Sequence, residues 1–336
     1  MADRTKIEWT DATWNPFKGC SRVSEGCRNC YAERMAGRFA GEGQPFQGIV
    51  HRVGKEFRWT KKFDVAGAWD QPLRWQNPRR IFVNSMSDTF YEGAITPAID
   101  LIFAVMALTP QHTYQVLTKR PERALAYLPP RRAHPVGLAA LNIALEAAAK
   151  NPRTAVGRGC MLDGDIAHLT IWPLPNVWIG TSVENQAAAD ERIPPLLETL
   201  AAKRFLSCEP LLGPIILKPE WLARLDWVIV GGESGPGARP MHPDWVRQIR
   251  DQCAAAGVPF FFKQWGAWQT VYDRDHDDPD WRRCPRESGN NKRYLNLAGG
   301  TGFHGERVVF VQRRSKQTTG RTLDARTHDA FPGEPA

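Results

Sequence analysis

The chain has 336 residues, 42% of them hydrophobic and 10% aromatic, and a formal net charge of +8. Those proportions exclude a disordered or fibrous protein, and no apolar run reaches the roughly 18 residues that a bilayer crossing needs. The positive excess comes from 32 arginines set against 12 lysines; arginine forks suit phosphate, so one reading is a polyanionic partner and the other is an arginine-rich genome. From the amino end, Met1 to Thr10 mix acidic and basic groups as no secretory leader does, so the expected location is the cytoplasm.

Ala12 to Phe17 reads as a short strand ahead of three crowded cysteines, Cys20, Cys27 and Cys30. Six further apolar runs begin near residues 81, 114, 177, 204, 227 and 258. Examples are Ile81-Phe82-Val83 and Trp227-Val228-Ile229-Val230, short and nearly free of polar interruption, as parallel strands buried on both faces are. Each run ends in Gly, Ser, Thr or a charged residue, which marks its carboxyl end. Helices are predicted over Pro97 to Leu108, Ala187 to Ala202 and Pro243 to Gly257, the last with Asp244 helping to cap its start and Gly257 ending it.

Four of the five separations between strand starts lie between 23 and 33 residues, the length of one βα unit. The fifth, 63, contains Pro129-Pro130-Arg131-Arg132 and an Ala/Leu-rich helix near Gly137 to Lys150, so residues 129–174 read as an insertion. Seven strands in this rhythm predict an α/β fold, a complete or partial (β/α) TIM-type barrel over residues 1–270. The polar strand ends then share one rim, where such barrels carry their sites. Beyond it, residues 271–336 change texture, with an acidic stretch at 273–280, a basic one at 281–293 and one more strand at Val308 to Val311. They read as a C-terminal extension packed on the barrel.

The strongest local signal is Gly19-Cys20, Gly26-Cys27 and Cys30-Tyr31-Ala32-Glu33. A tight cysteine cluster in a cytosolic chain reads as metal or redox chemistry, not as a disulfide framework. Three thiolates on a four-iron cluster leave one iron open to a ligand. A zinc site completed by His51 or another cysteine is the alternative, and inert buried thiols are the bland reading; spacing does not choose between zinc and iron–sulfur. At the strand ends stand four carboxylates, Asp88, Glu184, Glu209 and Glu233, which bind a ligand or make structural ion pairs. Lys119 and Lys263 either take a carboxylate or phosphate of a bound molecule or pair with those same acids. Cys208 is placed to donate a hydrogen atom or to be a buried bystander. Gly231 to Gly237 let backbone N–H groups approach an anion. Trp14, Trp178, Trp265 and Trp268 flank the rim segments and either stack a base or fill the core. Signatures of serine hydrolases, zinc proteases and phosphate-binding loops are absent.

Trp9-Thr10-Asp11-Ala12-Thr13-Trp14-Asn15-Pro16, the cysteine segment, Asn84-Ser85-Met86-Ser87-Asp88, Leu117-Thr118-Lys119-Arg120-Pro121 and Trp178-Ile179-Gly180-Thr181-Ser182-Val183-Glu184-Asn185 closely resemble a phage and bacterial three-cysteine family of unassigned function. So do Glu209-Pro210-Leu211-Leu212-Gly213-Pro214, Gly231-Gly232-Glu233-Ser234-Gly235, Phe262-Lys263-Gln264-Trp265-Gly266 and Gly320-Arg321-Thr322-Leu323-Asp324. That family is regarded as similar to radical S-adenosylmethionine (SAM) enzymes. The resemblance implies a 4Fe-4S cluster on Cys20, Cys27 and Cys30 and reductive cleavage of SAM. SAM contacts would come from Asn84, Ser85, Asp88, Thr181, Ser182, Glu184, Glu209, Gly231, Gly232 and Glu233, with Cys208, Lys119 and Lys263 in catalytic roles. An electron donor such as flavodoxin or ferredoxin is implied as well, and the family's setting points to a nucleic acid or nucleotide substrate. Two features depart from the radical SAM pattern: the first cysteine gap is six residues where three is commonest, and Gly231-Gly232-Glu233 follows a late strand where the usual Gly-Gly-Glu follows the second. The alternative from another class is a non-catalytic iron–sulfur or zinc-stabilised module that binds nucleic acid or protein.

Overall fold

The computed structural model describes residues 5–129, 138–150, 172–273, 289, 291–300 and 307–333. Its strands are β1 (Ala12–Trp14), β2 (Phe17–Lys18), β3 (Val50–Val53), β4 (Glu56–Trp59), β5 (Asp64–Val65), β6 (Arg80–Val83), β7 (Thr113–Thr118), β8 (Val177–Ser182), β9 (Lys203–Cys208), β10 (Trp227–Gly231), β11 (Phe260–Gln264), β12 (Trp268–Tyr272), β13 (Lys292–Asn296) and β14 (Val308–Arg313). The helices are α1 (Tyr31–Arg38), α2 (Thr96–Ala107), α3 (Pro121–Tyr127), α4 (Leu138–Ala149), α5 (Gln186–Glu198), α6 (Pro219–Leu222), α7 (Pro243–Ala256) and α8 (Lys316–Thr319). Seven strands form one parallel sheet in the order β1-β6-β7-β8-β9-β10-β11, flanked by helices in an α/β arrangement. All seven expected strands are present. None of the described helices is long and apolar enough to cross a membrane.

Two compact units divide the chain. The first comprises Met1–Val23, Cys30–Thr181 and Pro195–Arg204. Within it, Ala12 stands opposite Ile81, Ile81 opposite Tyr114 and Tyr114 opposite Val177, so apolar residues line up across four strands. Between β1 and β6 the chain makes the antiparallel hairpin β3–β4 and the helix α1, whose Ala32 and Ala36 pack with Ile49, Val50 and Trp59. Small residues on α1 let it lie close to the hairpin, and Cys20 and Cys30 pack against the same cluster. Of the expected insertion at 129–174, only α4 and its last three residues fall among the described residues, together with Pro129 at its start.

The second unit comprises Ser24–Asn29, Ser182–Pro194 and Phe205–Ala336. Here β10 is buried along its whole length between β9 and β11, as its unbroken apolar run requires. Strands β12, β14 and β13 form a separate antiparallel sheet in that order. The acidic stretch expected at 273–280 and the basic one at 281–293 lie mostly outside the described residues. The expected C-terminal strand is β14, and the segment after it runs along β11: the Phe262 N–H donates to His328 O at 2.8 Å, and Phe261 bridges Asp329. Phe331 packs its ring on Trp227 and Phe261, with centroids 5.0 and 5.4 Å away.

That segment explains why the strand order is that of an open sheet. A complete barrel needs its first and last strands to pair. Here β1 and β11 are the two ends of the order, and the outer hydrogen-bonding groups of β11 are satisfied by the chain's own tail. The closed form of the TIM-type expectation is therefore not what the strands make. The cap of α7 also differs from expectation: Nδ1 of His242, not the side chain of Asp244, accepts the first free N–H, from Asp244, at 3.1 Å. Gly257 ends the helix as expected, in the left-handed region at φ 67°.

Candidate functional site

In the first unit the loop after β2 carries Cys20 and is tied down from three sides. Gly19 has φ +98° and its Cα passes so close to Lys62 O that no side chain fits there. Ser87 Oγ donates to Gly19 O, and Tyr31 OH, at the start of α1, donates to Ser85 O. The third tie is Arg120, whose guanidinium donates to Ser21 O at 3.1 Å and Ser21 Oγ at 2.7 Å and stands 3.8 Å from Cys20 Sγ. Arg120 is buried and pairs with Asp88 at 3.0 Å and Glu92 at 2.5 Å. Burial alone lowers the pKa of a guanidinium; Asp88 and Glu92 outweigh it and hold Arg120 above its ordinary value.

The expected SAM contacts in this unit make hydrogen bonds within the chain. Asp88 accepts hydrogen bonds from Phe90 N–H, Thr118 Oγ1, Lys119 N–H and Arg120. Asn84 takes a left-handed turn at φ 56°, accepts from Phe17 N–H through Oδ1 and donates through Nδ2 to Thr89. Ser85 Oγ donates to Asn15, and the buried Thr181 Oγ1 donates to Thr118 O. Lys119 touches Asp88 through its backbone N–H. Glu33, the acid of the cysteine segment, is buried against Arg22 at 2.5 Å and Arg58 at 3.8 Å. Arg22 is held above its usual pKa against the opposing effect of burial, by Glu33 first and, more weakly, by Glu56 and Cys30.

In the second unit the turn Glu25–Cys27 is held by two of the strand-end carboxylates. Glu184, after β8, is fully buried and pairs with Arg192 at 3.0 Å, while its other oxygen accepts the Gly26 N–H at 3.4 Å. A Cβ on Gly26 would come within 3.0 Å of that carboxylate, which is why a glycine precedes Cys27. Glu233, after β10, accepts from Arg239 N–H, Nε and Nη2 and from Asn29 Nδ2 at 2.7–2.9 Å. Burial pushes the Glu233 carboxyl up, but Arg239 and Asn29 prevail and leave it below the ordinary value. Arg239 continues to Glu25 O at 3.0 Å and Glu25 Oε2 at 3.3 Å. Glu25, Gly26 and Asn29, on both sides of Cys27, are thus anchored to residues far along the chain.

The remaining candidates of this unit are also paired or packed. Lys263 Nζ reaches both oxygens of Glu209, at 2.6 and 2.8 Å. The Ser182 carbonyl accepts from Arg192. Gly231 is close to the Glu209 carboxyl group, and Gly232 leaves room for Trp265 O, so this glycine pair serves close packing of β10 and β11. Cys208, on β9, is fully buried, and that burial pushes its thiol up, with Cys253 and Glu184 adding to it. Burial pushes the Cys253 thiol up to about 12. Trp14 and Trp268 are core residues, and Trp268 and Trp265 donate their indole N–H groups to Ala238 O and Thr322 O.

The donor chemistry suits a thiolate-held centre. Cys20, Cys27 and Cys30 are partly exposed and in no disulfide, whereas Cys208 and Cys253 are buried. Their spatial arrangement is not a ready-made cage: among the described residues no group of three or more His, Cys, Asp and Glu side chains is placed to hold a metal ion. Sequence reasoning named the strand-end acids but missed their arginine partners Arg192 and Arg239, which stand eight and six residues later. No curated protein and no solved structure matches this chain. A family model matches residues 4–332, and by that match the chain belongs to the family described as "Protein of unknown function (DUF5131)".

Proposed function

We propose that Cys20, Cys27 and Cys30 hold a 4Fe-4S cluster in a radical-SAM-like enzyme that acts on a nucleic acid or nucleotide. The observation that supports this reading is the contrast among the described cysteines. The three motif thiols are partly exposed, with an arginine 3.8 Å from Cys20 Sγ, while the other two are buried. A guanidinium beside a thiol favours the thiolate, the form that binds metal. When bound, a four-iron cluster on three thiolates leaves an iron open to SAM and supplies one-electron cleavage of its sulfonium.

The chain's own residues work by position. Arg120 fixes the Cys20 loop through Ser21. Glu184 and Glu233 act as positioning residues for the turn that carries Cys27, through Gly26 and Asn29. The buried Cys208 takes no part in holding the cluster. Its catalytic role, and those of Lys119 and Lys263, rest on their places at strand ends in the sequence alone.

The test is anaerobic purification, reconstitution with iron and sulfide, and reduction with dithionite in the presence of SAM. An absorption band at roughly 400 nm with 5′-deoxyadenosine release is the expected result for a Cys-ligated cluster of this class. The Cys27→Ala protein should lose its iron and the Cys208→Ala protein should keep it. Equal iron in the wild type and Cys27→Ala overturns the ligand assignment. Stoichiometric zinc without iron uptake favours the non-catalytic module, and a cluster that never cleaves SAM removes the enzymatic reading.

A further inference from the structure

The second unit contains a cavity of about 310 Å³, within the lower range of small-molecule sites. Its wall includes Glu25, Asn185, Arg239, Trp245, Arg293 and Tyr294. The two arginines differ in what surrounds them. Arg239 is neutralised by Glu233 and Glu25. Arg293 is exposed, lies over the Trp268 ring with its guanidinium carbon 5.3 Å from the centroid, and has no carboxylate partner among the described residues. The stacking holds the guanidinium plane without using its N–H donors, which is how arginine is presented to a phosphate or carboxylate.

The rest of the wall is suited to a planar, polar body. Trp245 is buried and its indole N–H is committed to Leu297 O. The far edge of its six-membered ring packs on Gly299, where a Cβ would stand 3.4 Å away, so the aromatic side chain left to meet a ligand is the half-buried Tyr294. Asn185 uses Oδ1 to accept the Ala188 N–H at the start of α5, and its Nδ2 donates to no described group. Glu25 adds a hydrogen-bond acceptor for hydroxyl or amino groups. A guanidinium with no carboxylate partner among the described residues, a half-buried phenol ring, an amide and a carboxylate around one small cavity are a combination that matches one ligand class.

We propose that this cavity binds a nucleoside monophosphate, with the phosphate on Arg293 and the base and sugar against Tyr294, Asn185 and Glu25. The inference deepens the nucleotide side of the proposed function and rests on that reading for its biological sense. The binding itself needs no cluster, so the two fail separately. Full-length protein as purified is titrated calorimetrically with AMP, adenosine, ribose 5-phosphate and inorganic phosphate. AMP should bind, and adenosine and inorganic phosphate should each bind at least about tenfold more weakly. R293Q should weaken AMP about tenfold and leave adenosine unchanged, as expected for loss of a charge-assisted contact. Because Arg293 is exposed, R293Q should also keep the wild-type circular dichroism and melting temperature.

No heat from AMP at millimolar concentration overturns the proposal, as does equal AMP affinity in the wild type and R293Q. Adenosine binding as tightly as AMP overturns the assignment of an anion to Arg293. If AMP fails while iron and sulfide still reconstitute, the cavity assignment falls and the cluster reading stands. If AMP binds and reconstitution fails, the reverse holds.

Discussion

Each carboxylate at a strand end is half of an ion pair, and the most deeply buried is Glu184 with Arg192, both side chains 2% exposed. Burying two charges costs desolvation that their attraction only just offsets, so the pair adds little net stability, yet losing one partner strands the other. Glu184→Ala should therefore destabilise the protein by about 3–5 kcal/mol in urea unfolding, and a loss below 1 kcal/mol would show that Arg192 finds another partner. His242 offers a pH test. Burial holds its pKa near 4, below the ordinary 6.5, despite the opposing effect of Asp244 and Asp273 and with Arg307 also lowering it. Between those two values the unfolded chain binds a proton that the folded chain does not, so stability falls as pH drops from 6.5 toward 4. His242→Asn keeps an acceptor for the Asp244 N–H and should flatten the thermal midpoint across that window; an unchanged slope assigns the pH effect to another group.

Among the elements, the tail on β11 has the clearest consequence. An exposed edge of a parallel sheet invites pairing with another chain, and here residues 328–331 cover it with backbone hydrogen bonds and the Phe331 ring. Phe331→Ala should cost about 3–5 kcal/mol, the usual range for a buried phenylalanine, and should promote concentration-dependent self-association as the edge opens. Light scattering that stays monomeric after a loss of that size would mean the edge is protected by something besides the tail. The same segment brings Asp324 to Arg247 and Arg250, whose hydrogen bonds hold its carboxyl near 2, against some effect of burial.

For the molecule as a whole, the charge of +8 makes a polyanion-binding test direct. Affinity for a single-stranded oligonucleotide should fall linearly with the logarithm of salt concentration. Absence of binding at low ionic strength would leave single nucleotides as the only nucleic-acid class for this protein. How much of this was legible beforehand differs with the kind of feature. Ile81-Phe82-Val83 and Trp227 to Val230 announced buried strands because a strand covered on both faces must be apolar throughout. Gly257 announced a helix end because only glycine enters the left-handed region without cost.

Cys20, Cys27 and Cys30 stand out in the sequence because three thiols fall within eleven residues. Short spacing did not settle their geometry: among the described residues no group of three or more His, Cys, Asp and Glu side chains is placed to hold a metal ion. Pairing of Lys263 with a strand-end acid was legible as an alternative, and Glu209 is that acid. The partners of Asp88, Glu184 and Glu233 were not recognisable, since Arg120, Arg192 and Arg239 reach them through space and nothing in linear spacing encodes which of 44 cations does so. The amino-acid sequence by itself determined the seven-strand βα rhythm and the places of the main helices, both of which depend on local periodicity. Only the tertiary structure decided that the sheet is open, that the strand-end acids are paired, and that Arg293, beside a cavity, has no acidic partner among the described residues. Those outcomes depend on contacts made through space, where burial and charge are set by the packing and not by the neighbours in sequence.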